Sequence, residues 1–327
     1  MELDIYFKEE YGKIYELNGE GKLETFQLKS EWGTVIYHFL KKDIPVELGE
    51  KYYDITTPYG YGGPLFLDFE DENSLALLKK EFHEKFSEYC SRENIVSEFV
   101  RFHPIVKNHV YMEDYMDVSY NRDTICIEIE GEDEEKIWES FTCKCRNNLN
   151  KAFRNNLTVQ ITHDVETFHD IYIKTMERNC ASSYYYFSQE FFQNTLKLLG
   201  EGAKIFLAYH EGRAVSGILV IHNGEYMHDH FSGTDPEYRD LGANNMLVYE
   251  AAKWGAQNGK KYFHLGGGCT GNGDCLFRYK STFTKKEPYH FYIGKKIQNP
   301  EIYRRLVEEV EKTKTIEDRD YFPLYRG

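Results

Sequence analysis

Two histidines and an acid occupy adjacent positions of one predicted strand, in the stretch YMHDHF at residues 226–231. Side chains alternate across a strand, so His228 and His230 are expected to share one face while Asp229 points the other way. Histidine accepts a proton readily near neutral pH, and a general base is therefore predicted among these three residues. Two alternatives stay open: a His-x-His metal pair for which the sequence shows no third ligand, and polar strand residues without a catalytic role.

A helix is predicted to begin after the glycine of DPEYRDLGANNML, residues 235–247. The N–H groups in the first turn of a helix are unpaired and carry partial positive charge, which suits a pyrophosphate. The predicted anion site consists of Arg239, Gly242, Ala243 and Asn244, in the spacing Arg-x-x-Gly-x-Asn. The alternative is an ordinary helix that starts after a glycine.

Tyrosines and glycines alternate in TPYGYGGPL, residues 57–65. Glycine and proline alone can set the angles of a turn. The added rings of Tyr59 and Tyr61 therefore indicate a loop that holds a ligand, with flat apolar faces and hydroxyl tips. The alternative is that the tyrosines cover a sheet edge and the glycines shape the turn.

The composition limits the classes of protein to which the chain can belong. Its 327 residues favour two domains, with a boundary near residue 150 that separates residues 1–150 from residues 151–327. Asp and Glu outnumber Lys and Arg by 54 to 40. The resulting net charge of −14 disfavours broad nucleic-acid binding, which needs a positive surface.

The sequence shows no evident signal for export or membrane insertion. Its N-terminus lacks a basic start followed by an apolar core, and no apolar run approaches the ~20 residues of a membrane span. The seven cysteines include no CxxC pair, a pattern typical of reduced thiols. A cytoplasmic protein without a bound metal is expected.

The spacing of apolar residues predicts an α/β chain, α+β in detail. In chain order the main predicted elements are a strand at 33–42, a helix at 73–92 capped by Asn73 or Ser74, a strand at 123–131, a continuous helix through the junction near residue 150, three antiparallel strands over 204–234 and a long helix after Gly242.

Four segments resemble the Fem-like group of the GNAT acyltransferase superfamily, in which two GNAT-type domains are fused. They follow the group's order along most of the chain: TPYGYGGPL (57–65), CRNNLNKAFRNNLTV (145–159), the stretch from SGTDPEYRDLGANN to FHLGGG (232–268) and RYKSTF (278–283). The resemblance implies two GNAT-like domains, each a mainly antiparallel mixed sheet flanked by helices. It also implies N-acyl transfer, with the acceptor bound by residues 1–150 and the donor by residues 151–327.

The resemblance assigns roles to individual residues. Lys280, in RYKSTF, matches the lysine that stabilises the oxyanion in the Fem enzymes. Its alternative is a solvated helix lysine that lies over Phe277. The residues expected to bind the acceptor are Asp54, Tyr59, Tyr61 and Arg146.

Two activated donors fit the resemblance. The loop from Arg239 to Gly242 is similar to the acyl-CoA loop of GNAT enzymes, although Asn244 replaces its final small residue, and acyl-CoA is the first candidate. Aminoacyl-tRNA, the donor of Fem enzymes that build peptidoglycan bridges, is the second, disfavoured by the acidic chain. A peptidoglycan precursor or another cell-envelope amine is the expected acceptor. A non-catalytic double-GNAT module that only binds a ligand is the remaining alternative.

Overall fold

A computed structural model describes residues 2–46, 48–129, 131, 133–313 and 315–327. The chain divides into two compact units, which take their names from their place along the sequence. The central unit contains the residues up to Ile5 and Arg122–Tyr289, and the flanking unit contains Tyr6–Asn121 and His290–Gly327. The chain crosses between the units three times, at residues 5/6, 121/122 and 289/290, whereas the sequence predicted one boundary near residue 150 that separates 1–150 from 151–327.

In chain order the elements are α1 (Glu9–Leu17), β1 (Lys22–Ser30), β2 (Gly33–Asp43), β3 (Tyr53–Thr56), β4 (Leu65–Leu67), α2 (Glu72–Arg92), β5 (Ile95–Arg101), β6 (Asp117–Glu128), α3 (Glu134–Ser140), α4 (Cys143–Arg154), β7 (Thr158–Thr162), α5 (Val165–Arg178), α6 (Gln189–Leu199), β8 (Ala203–His210), β9 (Arg213–Asn223), β10 (Tyr226–Thr234), α7 (Ala243–Gln257), β11 (Tyr262–Gly266), α8 (Cys275–Lys280), β12 (Tyr289–Ile297) and α9 (Pro300–Glu311). Among the helices of the described ranges, none has the length and apolar character needed to cross a membrane.

The flanking unit is a mixed sheet in the order β1-β2-β3-β5-β12, with β4 beside β2. Its pairs are antiparallel except for the parallel pair of β3 and β5. Helix α2 buries Leu78, Phe82 and Phe86 against this sheet, because residues four apart lie on one face of a helix. The strand predicted at 33–42 and the helix predicted at 73–92 are confirmed as β2 and α2.

The cap of α2 is Asp71, and the predicted caps Asn73 and Ser74 are wrong. The Asp71 carboxylate accepts a hydrogen bond of 2.8 Å from the N–H of Ser74, and the Ser74 hydroxyl accepts one of 2.8 Å from the N–H of Asp71. This reciprocal pair is a capping box. Ser74 therefore belongs to the first turn that Asp71 caps.

The central unit is a sheet in the order β7-β8-β9-β10-β11-β6. Its pairs are antiparallel except for the parallel pair of β10 and β11. Helices α4 and α7 cover one face with buried residues that include Leu149 and Leu247. Phe168 of α5 and Phe192 of α6 lie edge to face, and Phe192 lies in the same way against Phe231 of β10. The three predicted antiparallel strands are confirmed as β8, β9 and β10.

The continuous helix predicted through the junction is wrong, because α3 ends at Ser140 and α4 begins at Cys143. The Thr142 hydroxyl caps α4 by accepting a hydrogen bond from the N–H of Cys145 at 3.4 Å, and it donates one of 2.9 Å to the carbonyl of Thr282. Phe141 is fully buried beside it. The tertiary packing of Phe141 and the side-chain cap together interrupt the helix.

Glycine 242 is expected to be much harder to replace than Gly259. Both have positive φ, +80° and +71°, but a Cβ on Gly242 would overlap the carbonyl of Asn148 on α4, whereas Gly259 faces open space. Gly259→Ala should cost about 1 kcal/mol of unfolding free energy from backbone strain alone. Gly242→Ala should cost about 1–3 kcal/mol more from the overlap. Urea denaturation of both variants measures the difference, and equal losses would contradict the packing of α4 on α7.

Candidate active site

The candidate site lies where β10 and β11 separate. The parallel pairing between them extends only from Tyr226/Tyr262 to His228/His264. A bulge then interrupts the register of β10 against β9 between Asp229 and Phe231, and β11 ends at Gly266. Bulges bend and twist a strand, which re-aims its side chains. We call this region the strand opening; it consists of Asp229–Phe231 of β10 and of residues 266–268, which begin at the last residue of β11.

The bulge changes the predicted arrangement of the two histidines. His230 is the extra residue of the bulge, so the alternation expected to place it on one face with His228 is interrupted. His228 is buried, with Nε2 2.7 Å from the Asp4 carboxylate. Burial lowers the pKa of His230 to about 3, helped by the nearby His228. A neutral imidazole with so low a pKa is a weak proton acceptor at pH 7.

Asp229 is the predicted base residue best suited to proton transfer. Its Oδ1 atom is buried and has no hydrogen-bond partner among the described residues. Burial raises the pKa of Asp229 to about 6, and the positive charge of Lys280 opposes that rise. A carboxyl group that titrates near neutral pH can both take up and return a proton.

Lys280 is the cation of the strand opening, at the last position of α8. Its ammonium donates a hydrogen bond of 3.0 Å to the carbonyl of Gly267, just after β11. Burial lowers the pKa of Lys280, and the carboxylate of Asp229 is the largest opposing influence. Lys280 is half-buried and bonded to this carbonyl, so the predicted alternative of a solvated lysine over Phe277 does not describe its position fully.

Two further polar groups lie close to this pair. The Tyr279 hydroxyl and the Oδ1 atom of Asn244 are buried near each other, and neither makes a hydrogen bond of normal geometry within the described chain. Burial raises the pKa of Tyr279, and Cys145 and Asp229 add to that rise. The sequence analysis did not select Tyr279, although its place beside Lys280 in RYKSTF was a usable signal.

The glycine-rich loop after β11 is held by specific hydrogen bonds. The Arg122 guanidinium donates to the carbonyls of Gly268 and Cys269 at 2.9 and 3.0 Å. The Asp274 carboxylate accepts from the N–H groups of Thr270 and Phe277 at 2.8 and 2.7 Å, and so caps α8. These bonds to backbone N–H groups lower the pKa of Asp274 to about 2. The loop therefore positions helix α8, which ends at Lys280.

The start of α7 has the form predicted for an anion site. Gly242 is its N-cap, and no side chain caps the first turn. Arg239 is exposed on the preceding turn, and Ala243 is buried. The packing of α4 also explains Gly242, since a Cβ at this position would overlap the Asn148 carbonyl. An anion at this helix start therefore stays a prediction.

Arg146, predicted to bind the acceptor, is engaged within its own helix junction. Its guanidinium donates to the carbonyl of Phe141 at 2.7 Å and to the sulfur of Cys143 at 3.4 Å. These contacts tie the start of α4 to the end of α3. A role of Arg146 in binding the acceptor stays a prediction. In that role, Arg146 would have to keep its bonds to Phe141 and Cys143.

In the flanking unit, Asp54 is buried and already paired. Its carboxylate accepts from Arg326 Nε at 2.6 Å and from the Tyr325 hydroxyl at 3.3 Å. Burial raises the pKa of Asp54 and Arg326 opposes that rise. An acceptor would have to displace Arg326 to reach this carboxylate.

The tyrosine loop of the flanking unit is packed on its own core. The Tyr61 ring lies 5.4 Å from Tyr6, 5.7 Å from His103 and 5.2 Å from Phe291, measured between ring centroids. The carbonyl of Tyr59 accepts a hydrogen bond from the hydroxyl of Tyr11. Packing thus accounts for much of this loop, and acceptor binding by Tyr59 and Tyr61 stays a prediction.

Three consecutive tyrosines that the sequence analysis did not select are exposed in the central unit. Tyr184, Tyr185 and Tyr186 lie between α5 and α6 and are 36–41% exposed. Phe187, which follows them, packs against Phe231 at the strand opening, with 5.1 Å between ring centroids. The run SSYYYF was the available signal. An aromatic surface thus adjoins the strand that carries Asp229.

At a gap between strands, the site combines a carboxyl group with a buried oxygen, a half-buried ammonium and the neighbouring polar groups of Tyr279 and Asn244. A fixed cation can stabilise an oxyanion, and a carboxylate of raised pKa can accept a proton from an attacking nucleophile. This is the equipment that acyl transfer to an amine requires.

Comparison with known proteins identifies the segment that carries these groups. Residues 143–281 match the family model of the Acetyltransferase (GNAT) domain. No curated protein sequence matches the chain.

Solved structures extend the likeness to most of the chain. The chain is similar to FemX, with a TM-score of 0.70 and 14% identity, over 91% of this chain and 93% of FemX. It is also similar to a conserved protein of unknown function from Bacteroides thetaiotaomicron, with a TM-score of 0.53 and 13% identity, over 84% and 86% of the two chains. A third likeness is to the C-terminal domain of a proposed lysylphosphatidylglycerol synthetase from Agrobacterium fabrum, with a TM-score of 0.52 and 10% identity, over 93% and 96%.

The predicted acyltransferase class is confirmed by the match of residues 143–281 to the GNAT acetyltransferase domain. This segment includes Asp229, Asn244, Tyr279 and Lys280. The fold of the chain is that of FemX, so the predicted Fem-like resemblance and the α/β class of antiparallel sheets flanked by helices are confirmed at the level of fold.

Replacement of Asp229 by Asn should stabilise the protein increasingly as the pH rises from 4 to 7. The pKa of Asp229 is raised from 3.8 to about 6 in the folded state. The folded state therefore binds more protons than the unfolded state between these values, and ionisation costs stability as the pH rises. We expect a gain of about 1–3 kcal/mol at pH 7 relative to pH 4. Urea denaturation across this range measures it, with the exposed Asp240→Asn as control; a gain that does not change with pH would contradict the buried carboxyl.

Proposed function

We propose that this acyltransferase moves an acyl group from a CoA thioester to the amine of a cell-envelope molecule. The observation that carries the proposal is the presence at the strand opening of Asp229, whose Oδ1 atom is buried without a hydrogen-bond partner in the described chain, and of Lys280, whose charge acts on it, within the segment that matches the GNAT domain. The uncapped start of α7 supports a CoA donor, because free N–H groups attract a pyrophosphate. Arg239, exposed just before it, adds a positive charge.

In the proposed reaction the acceptor amine attacks the carbonyl carbon of the thioester. A C–N bond forms, and the carbonyl oxygen becomes an oxyanion that the Lys280 ammonium stabilises. The Asp229 carboxylate accepts the proton that the amine loses. Collapse of the intermediate breaks the C–S bond, and the departing thiolate takes that proton to leave as the thiol of CoA.

The proposed acceptor is an amine on a peptidoglycan precursor or a related cell-envelope molecule. The exposed rings of Tyr184, Tyr185 and Tyr186 support it, since tyrosine faces and hydroxyls suit sugars and peptides. The Fem-like fold supports the same class of acceptor by resemblance. Tyr59, Tyr61 and Arg146 remain proposed contacts.

Lys280→Met should lower turnover by about 10²–10³-fold, because one fixed group that stabilises an oxyanion contributes on this scale. Methionine keeps the length of the side chain, so the folded state should persist. Turnover with an acyl donor and an amine acceptor is the measurement, and Lys197→Met, at an exposed position of α6, is the matched control. Turnover within a few-fold of the wild-type value would remove Lys280 from the mechanism.

A second donor, aminoacyl-tRNA, is favoured by the surface of α4. Lys144 and Lys151 are exposed and seven residues apart, which places them on one face of the helix. Arg154, also exposed, continues this positive stripe. Lysine and arginine side chains in such a stripe contact phosphates of nucleic acids. The similarity to FemX agrees with this donor by resemblance alone.

One comparison of variants separates the two donors. If CoA is the donor, acetyl-CoA should raise the melting temperature saturably, and Arg239→Ala should weaken that effect. Lys144→Glu/Lys151→Glu should leave it unchanged. If aminoacyl-tRNA is the donor, turnover with charged tRNA should fall about tenfold or more in the double variant and depend less on salt. Lys197→Glu is the control for charge reversal at an exposed lysine.

Two outcomes would change the proposed donor. A melting temperature that does not respond to millimolar acetyl-CoA, together with turnover from charged tRNA, would replace the first donor by the second. A response to neither donor would contradict both proposals.

A further inference from the structure

A cavity of about 630 Å³ lies at the edge of the central unit, away from the strand opening. It is lined by β7, by the turn between β8 and β9 and by the residues that follow α4. In the strand order, β8 is separated from β10 by β9, so the cavity is distinct from the site of Asp229 and Lys280. Its volume is within the range of roughly 300–1,000 Å³ that small-molecule sites have. We call it the edge cavity.

Part of the wall of the edge cavity consists of polar side chains that make no hydrogen bond within the described part of the chain. Thr158 and Gln160 are two residues apart on β7, so their side chains project from the same face of the strand. Thr158 lies opposite Tyr209 of β8. Asn156 adds an amide from the segment after α4. Within the described part of the chain, the hydroxyl of Thr158 and the amides of Asn156 and Gln160 make no hydrogen bond. These groups are available to a ligand.

The backbone around the edge cavity holds this arrangement in place. His210 Nδ1 lies 3.1 Å from the carbonyl of Asn155, which ties the end of β8 to the segment after α4. The register of β7 against β8 runs without a shift from Thr158/Tyr209 to Thr162/Ile205. The wall is thus formed before a ligand arrives, which reduces the entropy cost of binding.

The charges of the edge cavity favour a neutral ligand. Arg154 and Glu211 both line it, one positive and one negative. A phosphate would meet the carboxylate of Glu211, and an ammonium would meet the guanidinium of Arg154. The other polar groups are amides and hydroxyls, which pair well with hydroxyl groups. Tyr209 offers a ring face to the C–H surface of a pyranose.

We propose that the edge cavity binds a neutral saccharide of about two sugar units. The hydroxyls of the sugar exchange hydrogen bonds with Thr158, Gln160 and Asn156, and Tyr209 packs against a ring face. This proposal does not depend on acyl transfer, because none of these residues belongs to the strand opening. The site holds a glycan at a second point of the molecule.

Saturation-transfer NMR and calorimetric titration with chitobiose, cellobiose, maltose and AMP test the proposal. At least one disaccharide should bind saturably at millimolar concentration, and AMP should bind less well than that disaccharide. Gln160→Ala should weaken the bound disaccharide about tenfold, the effect of losing one or two hydrogen bonds. Gln193→Ala, an exposed glutamine of α6 in the same unit, is the matched control and should bind as the wild type does.

Gln160→Ala and Gln193→Ala both alter exposed side chains, so the circular dichroism spectrum and the melting temperature of each variant should equal those of the wild type. Thr158→Val provides a second variant that keeps the strand propensity and the shape of the side chain. Absence of binding by all three disaccharides would overturn the proposal. Binding that Gln160→Ala and Thr158→Val both leave unchanged, or preferential binding of AMP, would overturn it as well.

Discussion

The site depends on the electrostatic interaction between the carboxyl group of Asp229 and the ammonium group of Lys280, which lie in a region shielded from water. An ionised side chain removed from water costs several kcal/mol unless a partner and hydrogen bonds compensate for it. Burial raises the pKa of the carboxyl group and lowers that of the ammonium, and each charge opposes the shift of the other. The pKa of Asp229, about 6, is therefore close to neutral pH, where a carboxyl group can take up and release a proton. The burial that brings the pKa of Asp229 into a range useful for proton transfer also lowers the stability of the folded state.

The surrounding structure holds the pair in place. The bulge leaves His230 out of the pairing with β9 directly after Asp229, and the carbonyl of Gly267 accepts a hydrogen bond from Lys280. Asp274 caps the short helix of Lys280, and Arg122 holds the carbonyls of the loop that precedes it. A short helix has little stability of its own. These capping and loop hydrogen bonds supply the order that the helix lacks.

Local patterns in the sequence were enough to predict the elements but not all of their ends. The apolar spacing of α2 and the β-branched run of β2 identify both elements, because one face of each is buried. The break at Phe141 was missed, since the helical pattern continues across it and only tertiary burial of that ring stops the helix. The crossings of the chain between the units were not predicted, for a related reason. Two of the three occur within β6 and β12, where no linker composition marks them.

By itself the sequence determined the α/β class, the antiparallel meander, the glycine at the start of α7 and the cluster YMHDHF, because these follow from residue type and periodicity. The family resemblance added Lys280. Only the tertiary structure decided that Asp229 rather than a histidine interacts with Lys280, that Tyr279 joins them and that Asp54 is occupied by Arg326. The physical reason is that a bulge, a burial depth and an ion pair between residues far apart in sequence depend on how elements pack. The local spacing of residues in the sequence does not determine that packing.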